Sequence, residues 1–161
     1  MTIAEATEKM IRFSEGNVHD IEHFLKVWAY ARTIGQQEKL DEHTQMVLEL
    51  SALVHDIACP LCREKYGNTN GKLQERESAP LVEKFFSHED IDESDVNRIA
   101  DIVSRHHTYT GVDGIDLRIL LEADFIVNAG EKGYGRAAVL KARELVFETR
   151  SGTRILDSIY G

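Results

Sequence analysis

The chain has 161 residues, 42% apolar and 29% charged with only two prolines, so it is long enough for one hydrophobic core and too ordinary in composition for a disordered or Pro-rich tract. Its formal net charge of −9 argues against a sequence-independent grip on DNA or RNA, which needs clustered Lys and Arg. No basic segment leads into an apolar signal-like run at the N-terminus, and no apolar run approaches the ~20 residues of a membrane span. A cytoplasmic protein is therefore expected, with residues 1–161 as one domain and no membrane partner.

Taken in chain order, the apolar residues recur at helical period and nowhere alternate as in a strand. Ile21, Phe24, Leu25, Trp28 and Ala31 form the stripe of a first amphipathic helix, which Gly35 would help to end. Asp41 can cap a second helix running through Met46, Val47, Leu48, Leu53 and Val54 to Ala58, with Pro60 just beyond it. That helix is apolar almost all round and should be central. An irregular stretch from Pro60 to about Leu73 follows, then helices from Glu75 to Phe86, from Asp92 through Val96, Ile99, Ala100, Val103 and His106, and from Asp116 through Leu117, Leu120 and Leu121. A helix from Arg136 to Thr149 and a short tail from Gly152 to Tyr160 close the chain, so that residues 136–160 form its C-terminal helices. There is no internal repeat.

Polar residues interrupt this pattern where leucines belong. Asp124 falls seven residues after Leu117 and four after Leu120, on the apolar stripe, and a buried carboxylate needs a partner: either a hydrogen-bonded or salt-bridged core neighbour, or a cation. His55 and Asp56 interrupt the most apolar helix. Adjacent side chains diverge by ~100° on a helix, but near its end they can still converge on one ion. His106 continues its helix's stripe and His107 follows it, while His23 lies on the flank of the first stripe. Imidazoles and carboxylates without thiolates suit Mn, Fe, Zn, Co or Ni. The lone Cys59-x-x-Cys62 pair lacks a second ligand pair, and reads as two reduced cysteines outside the chemistry.

The order His23, His55-Asp56, His106-His107, Asp124 resembles the HD superfamily of metal-dependent phosphohydrolases, and so does the local wording: DIEHFLKVWAYA, LSALVHDIA, IVSRHHT and LLEADFIVN. The resemblance covers about residues 18–130, and GTRILDSIYG also resembles the tail of some relatives. It implies an all-α bundle around a central metal site, with His23, His55, Asp56 and Asp124 as ligands. It further implies hydrolysis of a phosphomonoester or phosphodiester, a nucleotide above all, by metal-activated water, with Mg as a further candidate ion. Binuclear members add a histidine after the doublet, where this chain has Gln74 and Glu75. A second ion would then rest on His106, His107 and Glu75, or Glu75 would act beside Asp56 as a catalytic acid or base. Lys26, Arg105, Lys65 and Asn128 are candidates for the substrate phosphate, with Arg63 and Lys72 behind them. Two alternatives from other classes are a di-iron oxygenase and a non-catalytic nucleotide-binding protein, and a homo-oligomer is compatible with either.

Overall fold

The computed structural model describes residues 1–161 as helices alone: α1 (Ile3–Phe13), α2 (Val18–Gln37), α3 (Glu42–Val54), α4 (Cys59–Tyr66), α5 (Gly71–Phe86), α6 (Glu93–Val103), α7 (Ile115–Glu131), α8 (Arg136–Leu145) and α9 (Arg150–Tyr160). Side-chain caps start many of them. Thr2 and Glu5 form a capping box on α1, Asn17 caps α2, Asp41 caps α3 and Thr149 caps α9, each satisfying backbone N–H groups that the helix leaves unpaired.

α3 and α7 form the centre. Every residue of α3 from Val47 to Val54 is buried, and nearly every residue of α7 from Asp116 to Ala129. α2 packs on both, α6 closes on α3, α5 backs α6, and α9 reaches α7 and α2. One continuous core of 32 buried apolar residues draws on every helix except α4. Glu49 fixes α3 against α2: its buried carboxylate accepts hydrogen bonds from Trp28 Nε1 at 2.9 Å, Arg32 Nη1 at 3.0 Å and Gln45 Nε2 at 2.9 Å. The stretch Glu42–Tyr66 is long and apolar enough to cross a membrane by composition, but 72% of its most apolar window is buried within the fold, so this apolarity belongs to the core.

Several sequence expectations need correction. Helix α1, which the apolar spacing does not announce, packs Ala6 and Met10 into the core. Gly35 does not end α2 but lies inside it, where a Cβ would strike the Gln45 amide. α3 stops at Val54, four residues short of Ala58, and Pro60 sits in the first turn of α4 rather than beyond a helix end, a position where its missing N–H costs nothing. α5 begins at Gly71, not Glu75, and runs through Pro80. α6 ends at Val103, leaving His106 and His107 in the turn that follows. Asp116 lies inside α7, whose N-cap is Gly114. The C-terminal region divides into α8 and α9, with the break before Thr149.

That break has a buried anchor. The Glu122 carboxylate, fully inside the fold, accepts from Glu148 N at 2.9 Å, Thr149 N at 3.0 Å and Thr149 Oγ1. Gly152 lies so close that an added methyl would collide with Glu122 Oε1 and sit 2.7 Å from Thr149 Oγ1. Gly152→Ala is expected to cost ~1–3 kcal/mol as an overpacking change, lowering the melting temperature by ~2–4 °C per kcal/mol for a domain of this size. A thermal melt that does not move would show that α9 can shift without loss.

Candidate metal centre

Four helices bring their polar interruptions to one place. α2 supplies His23 from its buried face, and α7 supplies Asp124 from the stripe that otherwise buries Leu117, Leu120 and Leu121. His55 is the C-cap of α3. The next residues form a turn, with Ile57 N donating to Val54 O at 3.0 Å and Cys59 N to Asp56 O at 2.9 Å. Asp56 therefore leaves the helix axis just after His55, and the divergence of adjacent helical side chains no longer applies. The turn after α6 delivers His106 and His107.

The imidazoles share one orientation. His55 Nδ1 donates to Ala52 O and His106 Nδ1 to Val103 O, each at 2.7 Å, while His23 Nδ1 donates to Glu131 Oε1 at 2.5 Å. With Nδ1 used as donor, each ring turns a bare Nε2 toward the others. His23 Nε2 lies 3.1 Å from His55 Nε2, 3.2 Å from Asp56 Oδ2 and 3.3 Å from Asp124 Oδ1. His55 Nε2 is 3.3 Å from Asp124 Oδ1, and His106 Nε2 is 3.4 Å from Asp56 Oδ1.

With the rings neutral, this is an arrangement of lone pairs without a donor, which only added protons or a cation can bridge. His106 Nε2 and Asp124 Oδ1 are buried with no hydrogen-bond partner, and an unsatisfied buried polar atom costs ~1–3 kcal/mol, more when charged. A cation resolves the conflict, and the N/O donor set is that of a first-row transition ion. Ligand atoms of His23, His55 and Asp56 all lie within 4.8 Å of one another, as do those of Asp56, His106 and His107. Asp56, half-buried, thus stands between two triads.

The same demand for positive charge governs protonation. Burial pulls the His23 imidazolium down, but the carboxylates of Asp124 and Asp56, 3.3 and 3.2 Å from its Nε2, raise its pKa to about 11. Burial also opposes ionisation of Asp56 and Asp124, yet the neighbouring imidazoles hold both carboxyls well below the usual carboxylate range. His107 goes the other way: burial, and then the charge of His106, lower it to about 4. It is a neutral ring at neutral pH, with Nε2–H donating to Gln74 Oε1 at 3.1 Å.

On α5 the structure brings Gln74, and not Glu75, to the cluster. Gln74, buried, faces the centre, its Nε2 donating to Thr69 O at 2.7 Å and its Oε1 accepting from His107. Gly71, one turn earlier, lets His107 lie against the helix start, since a Cβ there would come 2.8 Å from the His107 ring. Glu75, placed by the sequence in a second metal site or as a catalytic acid or base, is turned away by the ~100° step between neighbours. Both of its oxygens accept from Thr108 Oγ1 at 3.0 Å, Lys72 stands at 3.4 Å, and it belongs to neither triad.

A cleft of about 320 Å³ opens onto the cluster, lined by His19, Asp20, His23, Asp56, Cys59, Arg63, Thr69, Gly71, Gln74, His107, Asp124, Asn128, Glu131 and Lys132. Of the candidates for a substrate phosphate it includes Asn128 and Arg63, the latter held by Asp20 at 2.6 and 2.8 Å. The four others lie outside its lining, each beside a carboxylate, Lys72 with Glu75 at 3.4 Å. Arg105 is bound by Asp101 and Asp113, Lys65 by Glu77 at 2.9 Å, and Lys26 by Glu131 at 3.3 Å. Lys132 and Glu131 were not anticipated, although Glu131 follows Asp124 by seven residues and Asn128 by three, a spacing that places all three on one helix face. Cys59 and Cys62 are free and buried, and burial pushes both thiols up. They remain protonated, which makes them poor ligands and nucleophiles.

A crystal structure of a predicted HD superfamily hydrolase from an uncultured Thermotogales bacterium has the same fold, with a TM-score of 0.66 at 20% sequence identity over 98% of this chain and 84% of that one. Comparison with curated proteins gave no match. The family model described as HD domain matches residues 20–129, the segment from α2 to α7 that contributes all six of the clustered histidines and aspartates, and the chain belongs to the HD domain family.

Proposed function

We propose that this protein is a metal-dependent phosphohydrolase that cleaves a phosphate ester at the His–Asp cluster. The observation that carries the reading is the pair of orphaned buried atoms, His106 Nε2 and Asp124 Oδ1, among imidazoles whose Nε2 lone pairs all face inward. His23, His55, Asp56 and Asp124 would hold one divalent ion, and Asp56, His106 and His107 offer a second position that shares Asp56. When bound, such an ion polarises a phosphoryl oxygen and acidifies water.

The protein's own groups supply the rest. Ala52 O, Val103 O and Glu131 fix the ring orientations, so that no reorganisation is needed on binding. Arg63 and Lys132 bring positive charge to the cleft of a chain that is acidic overall. The same residues could serve iron-based oxidation; hydrolysis is preferred because the crystal structure with the same fold is that of a predicted HD superfamily hydrolase. A nucleotide, the substrate suggested by the family resemblance, would in addition need a place for its base.

The test is ion binding followed by turnover. Metal-free protein should gain thermal stability when Mn, Fe, Co, Ni or Zn is added, by about 2.7 kcal/mol at a free ion concentration 100 times Kd. The loaded protein should release phosphate from a panel of esters. No stabilisation by any of these ions would sink the proposal.

A further inference from the structure

The cleft suits a short, hydroxylated substrate better than a nucleoside. Among its 14 lining residues only Cys59 is apolar, and none is Phe, Tyr or Trp. Recognition of a nucleobase is built from apolar or aromatic walls that stack its faces, with a few polar groups reading its edge. Here the walls are charges, amides and hydroxyls, and the volume of about 320 Å³ is at the bottom of the range for small-molecule pockets, roughly 300–1,000 Å³. Two of the histidine rings that line it, His23 and His107, have nitrogens committed to Glu131 and Gln74.

What the cleft offers is a row. Asp124, Asn128 and Lys132 all line it and follow one another at four-residue intervals, so that they rise along one face of α7 at ~6 Å per step, ~12 Å in all. Asp124 is the buried end, in the cluster. Asn128 has an amide whose donors and acceptor find no partner within the protein. Lys132, at the C-cap, is the cleft's one Lys or Arg side chain without a carboxylate partner, Arg63 being held by Asp20. An uncommitted amide followed by an uncommitted ammonium matches a hydroxyl followed by an anionic group, leading away from a phosphate at the cluster.

We propose that this site selects a short phosphomonoester of a polyol or hydroxy acid, about three to six carbons long, held along successive turns of α7, and that it does not read a nucleobase. The proposal rests on the hydrolase reading above. It assigns Asn128 to a substrate hydroxyl and Lys132 to an anionic group at the far end.

The experiment measures kcat/KM of the metal-loaded full chain on glycerol 3-phosphate, 3-phosphoglycerate, a hexose 6-phosphate, AMP, GMP and UMP. The expected result is that at least one small ester equals or exceeds every nucleotide, and that the three nucleotides agree within about threefold. A tenfold preference for one base, or for nucleotides over all small esters, would overturn the proposal and leave the hydrolase reading intact. Silence toward every ester would overturn both. Lys132 is exposed, so Lys132→Ala should fold and keep its metal content. It should lower kcat/KM for 3-phosphoglycerate at least threefold more than for glycerol 3-phosphate. Equal losses on the two would overturn the role given to Lys132.

Discussion

Asp124→Ala is expected to abolish metal binding and phosphate release while leaving a helical protein, and Asp56→Ala should do the same. Asp124 lies in the core at 3.3 Å from two imidazole Nε2 atoms, and Asp56 belongs to both triads. Losing either removes a charged ligand, so affinity should fall by more than the ~10–100-fold that follows from removing an outer partner of a ligand. Asp124→Asn keeps the shape and tests the charge alone, should the alanine variant fold poorly. Metal analysis with phosphate release is the measurement, and full occupancy with full turnover in either Asp124 variant would remove Asp124 from the site.

The pH dependence of metal binding in the unmutated chain follows from His23. Its pKa rises from 6.5 unfolded to about 11 folded in the metal-free chain. The proton it carries therefore stabilises that form fully below about pH 6.5, and this contribution is lost as pH rises through about 11. Between these limits an ion must displace the proton, so its affinity should rise by about tenfold per pH unit for each proton released. An affinity independent of pH across this window would show that His23 is not a ligand.

What could be read without the structure was what periodicity records. Helical spacing exposed Asp124, His55 and Asp56 as polar residues at core positions, and the family wording added His23, which alone on a stripe's flank carried no signal. The fold class followed from the same period. What could not be read was set by turns and tertiary partners. A helix ending at Val54 and a helix continuing to Ala58 have the same apolar pattern, because the turn from His55 to Ala58 is itself buried against the core. Whether Gln74 or Glu75 faces inward depends on where α5 begins. Asn70 caps it, its side chain accepting from Lys72 N, but Asn68 and Asn70 lie so close together that the local sequence does not mark which starts the helix. The surroundings of the cationic candidates were hidden for a related reason: Arg105, Lys65 and Lys26 each have a carboxylate neighbour that only the fold, or a helical turn in an unknown direction, brings to them.

Glu131 marks the limit of that legibility and carries the second large effect. It lies beyond the segment matched by the family model, which ends at residue 129, and no motif points to it. Yet its carboxylate accepts from His23 Nδ1 and is held in place by Lys26 at 3.3 Å, with its side chain only 15% exposed. A carboxylate behind a ligating imidazole fixes the ring and its tautomer and makes Nε2 a stronger donor to the ion. Glu131→Gln preserves the shape and removes the charge, and should weaken metal binding by ~10–100-fold. Competition with a chelator measures this directly, without reliance on turnover. The metal-free variant should keep its helicity and lose no more than the ~1.5–3 kcal/mol of a hydrogen bond to a charged group, since Glu131 is at the cleft and is not part of the apolar core. Glu131→Asp, which restores the charge one methylene shorter, should recover part of the affinity, as a purely steric role would not allow. If Glu131→Gln binds the ion as tightly as the unmutated chain, the orientation of His23 must come from α2 alone.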